Sequence, residues 1–378
     1  MPILLKFDGI IRNVSYDSRT RFTKLKTYHS NDFNINEVGT TGIVQFDEDT
    51  SIGYARWTSP KRTRTYPFPR VYNIYHLPKK VAIIPIIKDE GYKTNNDRIN
   101  YITYSWMNLS NVYIILAWYE SALKHPSKWG RITKQILNAG FVNERLTELR
   151  TYQQTALHWN TMHFERDFES VFRNAVTSYE KVVQKTGGVL VSSATHLAEL
   201  EKYIDDGLFN LEQFKAVSLP QSFAAAQRET QTSHKSEYLQ ETSKAYFFIT
   251  NWLGGEYHLT CDEILFEKNT VIIQESKNTT NDKLPKLSDI QDGLFKLILF
   301  SNMDSLKLDK QSVKFRVRLK LTGNLDSQLM LPADSNAIET YIKRNSLKPR
   351  DQQYIRMLNE EVKANPKLEI ELNQNAKS

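Results

Sequence analysis

The sequence predicts an α/β (α+β) chain: a mixed sheet flanked by helices, behind an N-terminal region that is first β-rich and then helical. Three observations predict it. Short apolar runs bounded by turn residues crowd residues 2 to 90. An apolar period of helical spacing runs from Glu165 to Val183. A polar turn at Lys268-Asn269 joins two apolar runs, and an amphipathic segment, 287–303, and a final strand, 311–323, follow it.

Taken in order, Ile3 to Phe7, Gly42 to Phe46, Ile52 to Trp57, Val71 to Tyr75 and Val81 to Ile87 read as strands, being rich in β-branched and aromatic residues. NVYIILAWYESALK, residues 111–124, is apolar enough for either a buried strand or a helix, and its periodicity does not separate them. From Trp129 to about Phe214 the pattern is mostly helical. It is clearest where Phe168, Val171, Phe172, Val176, Tyr179 and Val183 share one face. Leu219-Pro220 reads as a hinge. Gln227 to Trp252 reads as a helix with Tyr238, Ala245, Phe248, Ile249 and Trp252 on its apolar side, stopped by Gly254-Gly255. The chain therefore divides into a 1–218 N-terminal region, a 219–335 core and a polar 336–378 tail. The tail carries a helix near Gln352 to Val362 and a disordered end, NQNAKS.

The 378 residues are 40% hydrophobic and 11% aromatic, enough for a packed core. Cys261 is the one cysteine, which excludes a disulfide scaffold and a cysteine zinc site and suits a reducing cytoplasm. No apolar run is long enough for a membrane span, Val112 to Trp118 being too short, and MPILLKFDG lacks a signal-peptide layout. The expectation is a cytoplasmic protein without a membrane partner. No phosphate loop, dinucleotide fingerprint or nucleophile elbow is present. His158 and His163 read as structural or surface histidines.

A formal charge of +7 favours an anionic partner, and the charge is concentrated. No acid occurs between Asp49 and Asp89, an interval holding Arg56, Lys61, Arg62, Arg64, Arg70, Lys79, Lys80 and Lys88 with aromatics interleaved. Its centre, WTSPKRTRTYPFPRVYNIY, is shaped by prolines and supplies hydroxyl and guanidinium donors suited to phosphates and guanine edges. Lys61, Arg62, Arg64 and Arg70 are the candidate DNA contacts there.

The chemistry centres on DEILFEKNTVIIQESK, residues 262–277. With Lys268-Asn269 as the loop, Glu267 faces Thr270, Phe266 faces Val271, and Asp262 falls opposite Glu275, about 5 Å away on one face. Lys277 shares that face. Opposed carboxylates repel unless a divalent cation lies between them. Two acids and a lysine around a metal ion constitute a phosphodiester-hydrolysis site.

These residues resemble the PD-(D/E)xK nuclease superfamily, in which an Asp and a Glu-x-Lys lie on adjacent antiparallel strands. Cys261 stands where the name has proline. A second acid-x-Lys triplet, Glu361-Val-Lys363, falls in the polar tail without a partner acid. The resemblance implies a helix–hairpin–helix–strand, restriction-endonuclease-like core. Asp262 and Glu275 would hold Mg²⁺, Lys277 would be catalytic, and a further Glu would come from the preceding helix. Glu241 is favoured for that role over Glu237. Arg316, Arg318 and Lys320, at alternate positions of the last strand, are set to meet phosphates, and Arg316 and Arg318 join the candidate DNA contacts.

SPKRTRTYPFPRVYN, KKVAIIPIIKDEG and DGLFKLILFSN, with the hairpin, are similar to bacterial type II restriction endonucleases of bipartite build. That likeness implies sequence-specific, Mg²⁺-dependent cleavage of double-stranded DNA to 5′-phosphate and 3′-hydroxyl ends in a bacterial cytoplasm. It also implies a homodimer and a companion DNA methyltransferase acting on the same site. The alternatives are a repair or modification-dependent nuclease of the same fold, or a non-catalytic DNA-binding protein.

Overall fold

The computed structural model describes residues 5–58, 70–89, 96–128, 130–187, 193–206, 209–231 and 243–375. It is mixed α/β and separates into two compact units, residues 25–222 and residues 1–24 with 223–378. The first strand, β1 (Leu5–Ile11), belongs to the second of these.

The 25–222 unit begins with β2 (Thr27–His29), β3 (Thr41–Gln45), β4 (Ser51–Arg56), α1 (Val71–Ile74) and β5 (Lys80–Pro85). The short β6 (Ile87–Asp89) and β7 (Asn96–Arg98), then α2 (Tyr101–Leu109), β8 (Tyr113–Ala117), β9 (Tyr119–Lys124) and β10 (Ile132–Leu137) follow. The helices α3 (Ala139–Thr151), α4 (Ala156–Lys185) and α5 (Ser193–Asp205) come next, with the first part of α6 (Leu211–Gln231), whose residues from Phe223 on belong to the second unit. Its main sheet has the order β2-β3-β4-β5-β8. β5 and β8 are parallel and buried along their whole length, as uninterrupted apolar runs require.

The edge of β8 is closed by side chains of α4. Ile114 N–H donates to Asn160 Oδ1 at 2.7 Å, and Leu116 N–H donates to His163 Nε2 at 2.9 Å. Trp159 Nε1–H donates to the Ile114 carbonyl at 2.8 Å. An edge strand that would otherwise template further pairing is thereby satisfied inside the unit. His163 is the structural histidine that the sequence suggests, fully buried and hydrogen-bonded to Asp167 at 2.7 Å.

The second unit adds β11 (Ser243–Asn251), β12 (Glu256–Glu267), β13 (Thr270–Asn278), α7 (Leu287–Ser301), β14 (Ser305–Leu308) and β15 (Gln311–Ser312). It ends with β16 (Lys314–Gly323), β17 (Leu329–Leu331), α8 (Ser335–Arg344), α9 (Pro349–Ala364) and β18 (Leu368–Gln374). With β1 these strands form one sheet, ordered β15-β14-β1-β11-β12-β13-β16-β18-β17. β12 and β13 make an antiparallel hairpin near its centre, and α7 carries the chain from β13 to the parallel β16. Helices cover both faces around the hairpin. α7 lies over Glu275 and Lys277, and on the opposite face Thr260 donates to Glu229 of α6 at 2.6 Å.

Several expectations are corrected. Val71 to Ile74 is a helical turn, not a strand; its Val71, Tyr72 and Ile74 are all buried, and an apolar run this short carries no decisive period. The helix expected over 227–252 ends at Gln231, and 243–251 is β11. The buried set there is Ala245, Phe247 and Ile249, a period of two, which overrides the helical reading through Phe248. Gly254, at φ +77°, turns the β11–β12 hairpin instead of stopping a helix. Pro220 lies inside α6, so Leu219-Pro220 is no hinge, and the units divide between residues 222 and 223.

The polar tail is built into the fold. Leu368, Ile370 and Leu372 alternate into the core as β18, between β16 and β17. Within α9, Glu361 is fully buried and accepts hydrogen bonds from Tyr16 Oη and from the Arg19 and Thr20 amides, at 2.6 to 2.8 Å. The Glu361-Val-Lys363 triplet is therefore a staple for the N-terminal segment.

Candidate active site

Lys268, at φ +52°, opens the tight turn between β12 and β13, and the register runs from Glu267↔Thr270 through Phe266↔Val271 to Glu263↔Gln274. Asp262 precedes the last paired residue, so the expected pairing with Glu275 is not part of the register. The ladder stops there because β12 bulges against β11 between Cys261 and Ile264. Asp262 stays exposed, and its Oδ2 accepts the Ser276 N–H at 2.8 Å. Glu275, by contrast, is buried.

Glu275 and Lys277 project from β13 toward α7. Lys277 Nζ donates to Glu275 Oε1 at 3.0 Å and to Asp292 Oδ2 at 2.9 Å. Lys296 Nζ lies 2.8 Å from Glu275 Oε2. Asp292 and Lys296 come from one face of α7, four residues apart, and both are buried. Sequence reasoning passed over them. The available signal was a pair of opposite charges at helical spacing inside DGLFKLILF, where an exposed face would show more than two polar positions.

Gly293 lets α7 come this close. A Cβ there would lie 2.5 Å from Leu319 Cδ1 and 3.5 Å from Lys277 Cε. Charged groups this buried persist only when paired, and the two lysines and two acids pair with one another. Burial disfavours the Lys277 ammonium, but Glu275 and Asp292 outweigh it and hold its pKa above the ordinary lysine value. Lys277 therefore keeps its proton in this arrangement. Burial raises the Cys261 thiol, with Asp262 and Glu275 adding to the effect and Lys296 opposing it. Cys261 is buried and packs in the core of the sheet.

Among the described residues, no group of three or more His, Cys, Asp or Glu gathers as a metal cage. Asp262 and Glu275 supply two hard oxygen donors, and magnesium commonly takes one or two carboxylates while keeping several waters. Glu275 Oε2 receives no well-directed hydrogen bond, although the Lys296 ammonium lies 2.8 Å from it. The residues present thus fit a magnesium-type ion in kind. Glu237 and Glu241 lie outside the described residues.

The candidate DNA contacts fare differently. Lys61, Arg62 and Arg64 lie outside the described residues, as do Tyr66 and Phe68. Tyr54, Trp57, Tyr72 and Tyr75 are core residues, not stacking platforms. Arg56 donates to the Ile35 carbonyl, and Lys79 donates to the Tyr152 carbonyl at 2.8 Å. Part of the basic stretch therefore serves folding. Arg70 is half-buried, and burial and then Arg56 lower its pKa.

β16 is an interior strand, and Arg318 on it is only 7% exposed. Its Nε donates to Glu369 and its Nη2 to Glu267, each at 2.6 Å, and Glu371 lies 3.7 Å from Nη1. The Arg318 guanidinium is taken up by this cluster of acids, whereas Arg316 keeps a half-exposed side chain 3.4 Å from Glu369.

No family model matches the chain, and neither does any curated protein or solved structure. No helix among the described residues is long and apolar enough to cross a membrane.

Proposed function

We propose that the chain is a Mg²⁺-dependent endonuclease that cuts double-stranded DNA at specific sequences, with a restriction-endonuclease-like core formed by α6, the β11–β13 strands, α7 and β16. One observation carries the reading. Lys277, two residues after Glu275 on β13, is half-buried and held between Glu275 and Asp292, with Asp262 on the neighbouring strand. A contact between sheet and helix made only for stability has little use for Glu275, Asp292, Lys277 and Lys296 packed together, where apolar packing would serve as well or better.

Asp262 and Glu275, with the carbonyl of Ser276, are the groups that would hold the cation. When bound, it supplies Lewis acidity and stabilises charge on the phosphate oxygens. Lys277, holding its proton, acts by charge: it orients the attacking water and neutralises the scissile phosphate. Water adds to phosphorus in line with the leaving 3′ oxygen, the P–O3′ bond breaks, and that oxygen takes up a proton. The products are a 5′-phosphate and a 3′-hydroxyl. Asp292 fixes the Lys277 ammonium in place. Lys61, Arg62, Arg64, Arg70 and Arg316 are the proposed DNA contacts, and Arg318 holds the sheet together. A homodimer, a companion methyltransferase of the same specificity and a bacterial cytoplasmic setting complete the proposal.

The test is incubation with unmethylated phage DNA in Mg²⁺ and in EDTA. Discrete fragments that disappear with EDTA support the reading. A smear removes sequence specificity and favours a repair or modification-dependent nuclease. No cleavage of unmethylated, methylated or single-stranded DNA leaves a DNA-binding protein at most.

A further inference from the structure

β9 and β10 form a two-stranded ribbon separate from the main sheet of the 25–222 unit. Its inner face is anchored, with Ala122 and Ile132 packed on Tyr179, Val182 and Val183 of α4. Its outer face is open. Leu123 is 43% exposed and Ile136 44% exposed. Lys134 lies on β10, Lys128 and Arg131 lie in the turn, and Lys124 ends β9 paired with Ile132; all four are exposed. No acid occurs between Glu120 and Glu144. Glu120 itself accepts from Asn138 Nδ2 at 2.6 Å. None of the four cations has a carboxylate partner among the described residues.

The tip is pre-shaped. His125 N–H donates to the Arg131 carbonyl at 2.8 Å, and His125 Nδ1 accepts from the amides of Ser127 and Lys128 at 3.2 and 3.0 Å. Gly130, at φ +70°, closes the turn. A basic turn framed by these hydrogen bonds loses less chain entropy when it meets a polyanion.

We propose that this ribbon enters the major groove of double-stranded DNA, resting on the nuclease reading above. A major groove about 12 Å wide admits a two-stranded ribbon. The cations at the turn and at the adjoining strand ends then meet the phosphates of the groove walls, which sets position. Leu123 and Ile136 face the floor, where apolar side chains contact thymine methyls.

The test uses the full-length chain carrying Lys124→Ala, Lys128→Ala and Arg131→Ala together. Binding to a labelled duplex is measured in EDTA, so that cleavage does not enter, across a series of salt concentrations. All three residues are exposed, so the thermal midpoint is expected to hold. A second variant, Leu123→Ser with Ile136→Ser, probes the floor of the groove. The triple variant is expected to bind at least tenfold more weakly, with a salt slope smaller by about 2 to 3, near 0.9 for each phosphate that the protein no longer neutralises. The double variant is expected to bind more weakly with the slope kept. A triple variant that binds like the parent, or one that loses single strands and duplex equally, overturns the ribbon while leaving the nuclease reading in place. A parent chain that binds no DNA overturns both.

Discussion

Lys296 Nζ lies 2.8 Å from Glu275 Oε2, while Lys277 Nζ lies 3.0 Å from the other oxygen of the same carboxylate. Both oxygens of the buried Glu275 thus face an ammonium, one from its own strand and one from α7. A divalent cation at Glu275 must compete with these lysines.

The competition sets the effect of Lys296→Met. Removing one competitor for Oε2 is expected to tighten divalent cation binding by about tenfold, roughly 1.4 kcal/mol. Calorimetric titration with Mn²⁺ measures this directly. Unchanged or weaker binding would show instead that Lys296 holds the carboxylate in its binding geometry.

Lys277→Ala is expected to lower DNA cleavage by about 100- to 1,000-fold while duplex affinity is retained, the usual cost of removing one group that stabilises transition-state charge. Asp262→Ala and Glu275→Ala are expected to abolish cleavage as well. Lys277→Arg should not rescue, because the gap between Glu275 and Asp292 is shaped for an ammonium and a guanidinium places its donors differently. Full cleavage by purified Lys277→Ala protein would sink the active-site assignment.

Gly293→Ala tests the approach of α7 to β16. Its new methyl group would press on the fully buried Leu319 and only touch the Lys277 stem. Overpacking of this kind costs about 1–3 kcal/mol. Urea unfolding should record that loss, and cleavage should fall with it as α7, which carries Asp292, moves away from the sheet. A variant as stable as the parent would mean that the helix can slide.

His163 links stability to pH. Leu116 N–H needs an acceptor at Nε2, so the ring stays neutral and donates from Nδ1 to Asp167. Burial is the largest cause of its lowered pKa, with Asp167 opposing and Arg166 and Arg145 assisting. Below about pH 6.5 the unfolded chain binds a proton that the folded ring refuses, so stability falls as pH drops through that value. Asp167, whose carboxyl is held below its ordinary range, contributes only in more acidic solution. Chemical denaturation of the parent at pH 7 and pH 5 should show the loss, and His163→Gln should flatten it at lower overall stability. An equal slope in both would place the titration elsewhere.

Much of this was readable along the chain. The β12–β13 register follows from one two-residue turn, because strand alternation is local and a turn of that length permits one pairing. The α4 stripe of Phe168, Val171 and Phe172 follows from its period, since thirty residues average out exceptions. Short runs failed where packing overrides propensity, as at Val71–Ile74 and at β11.

The sequence by itself determined the β12–β13 hairpin and its register from Glu263 to Glu267, the alternation of core and surface along the long elements, and where charge is dense. Only the tertiary structure decided which charges remain available. Arg318 and Glu361 look alike in sequence to solvated surface groups, yet one is closed among acids and the other clamps the N-terminal segment. Asp292 and Lys296 join the site only because α7 crosses back over β13 on its way to β16. Partners so far apart along the chain leave no local period or spacing, and their meeting is settled by how helix and sheet pack.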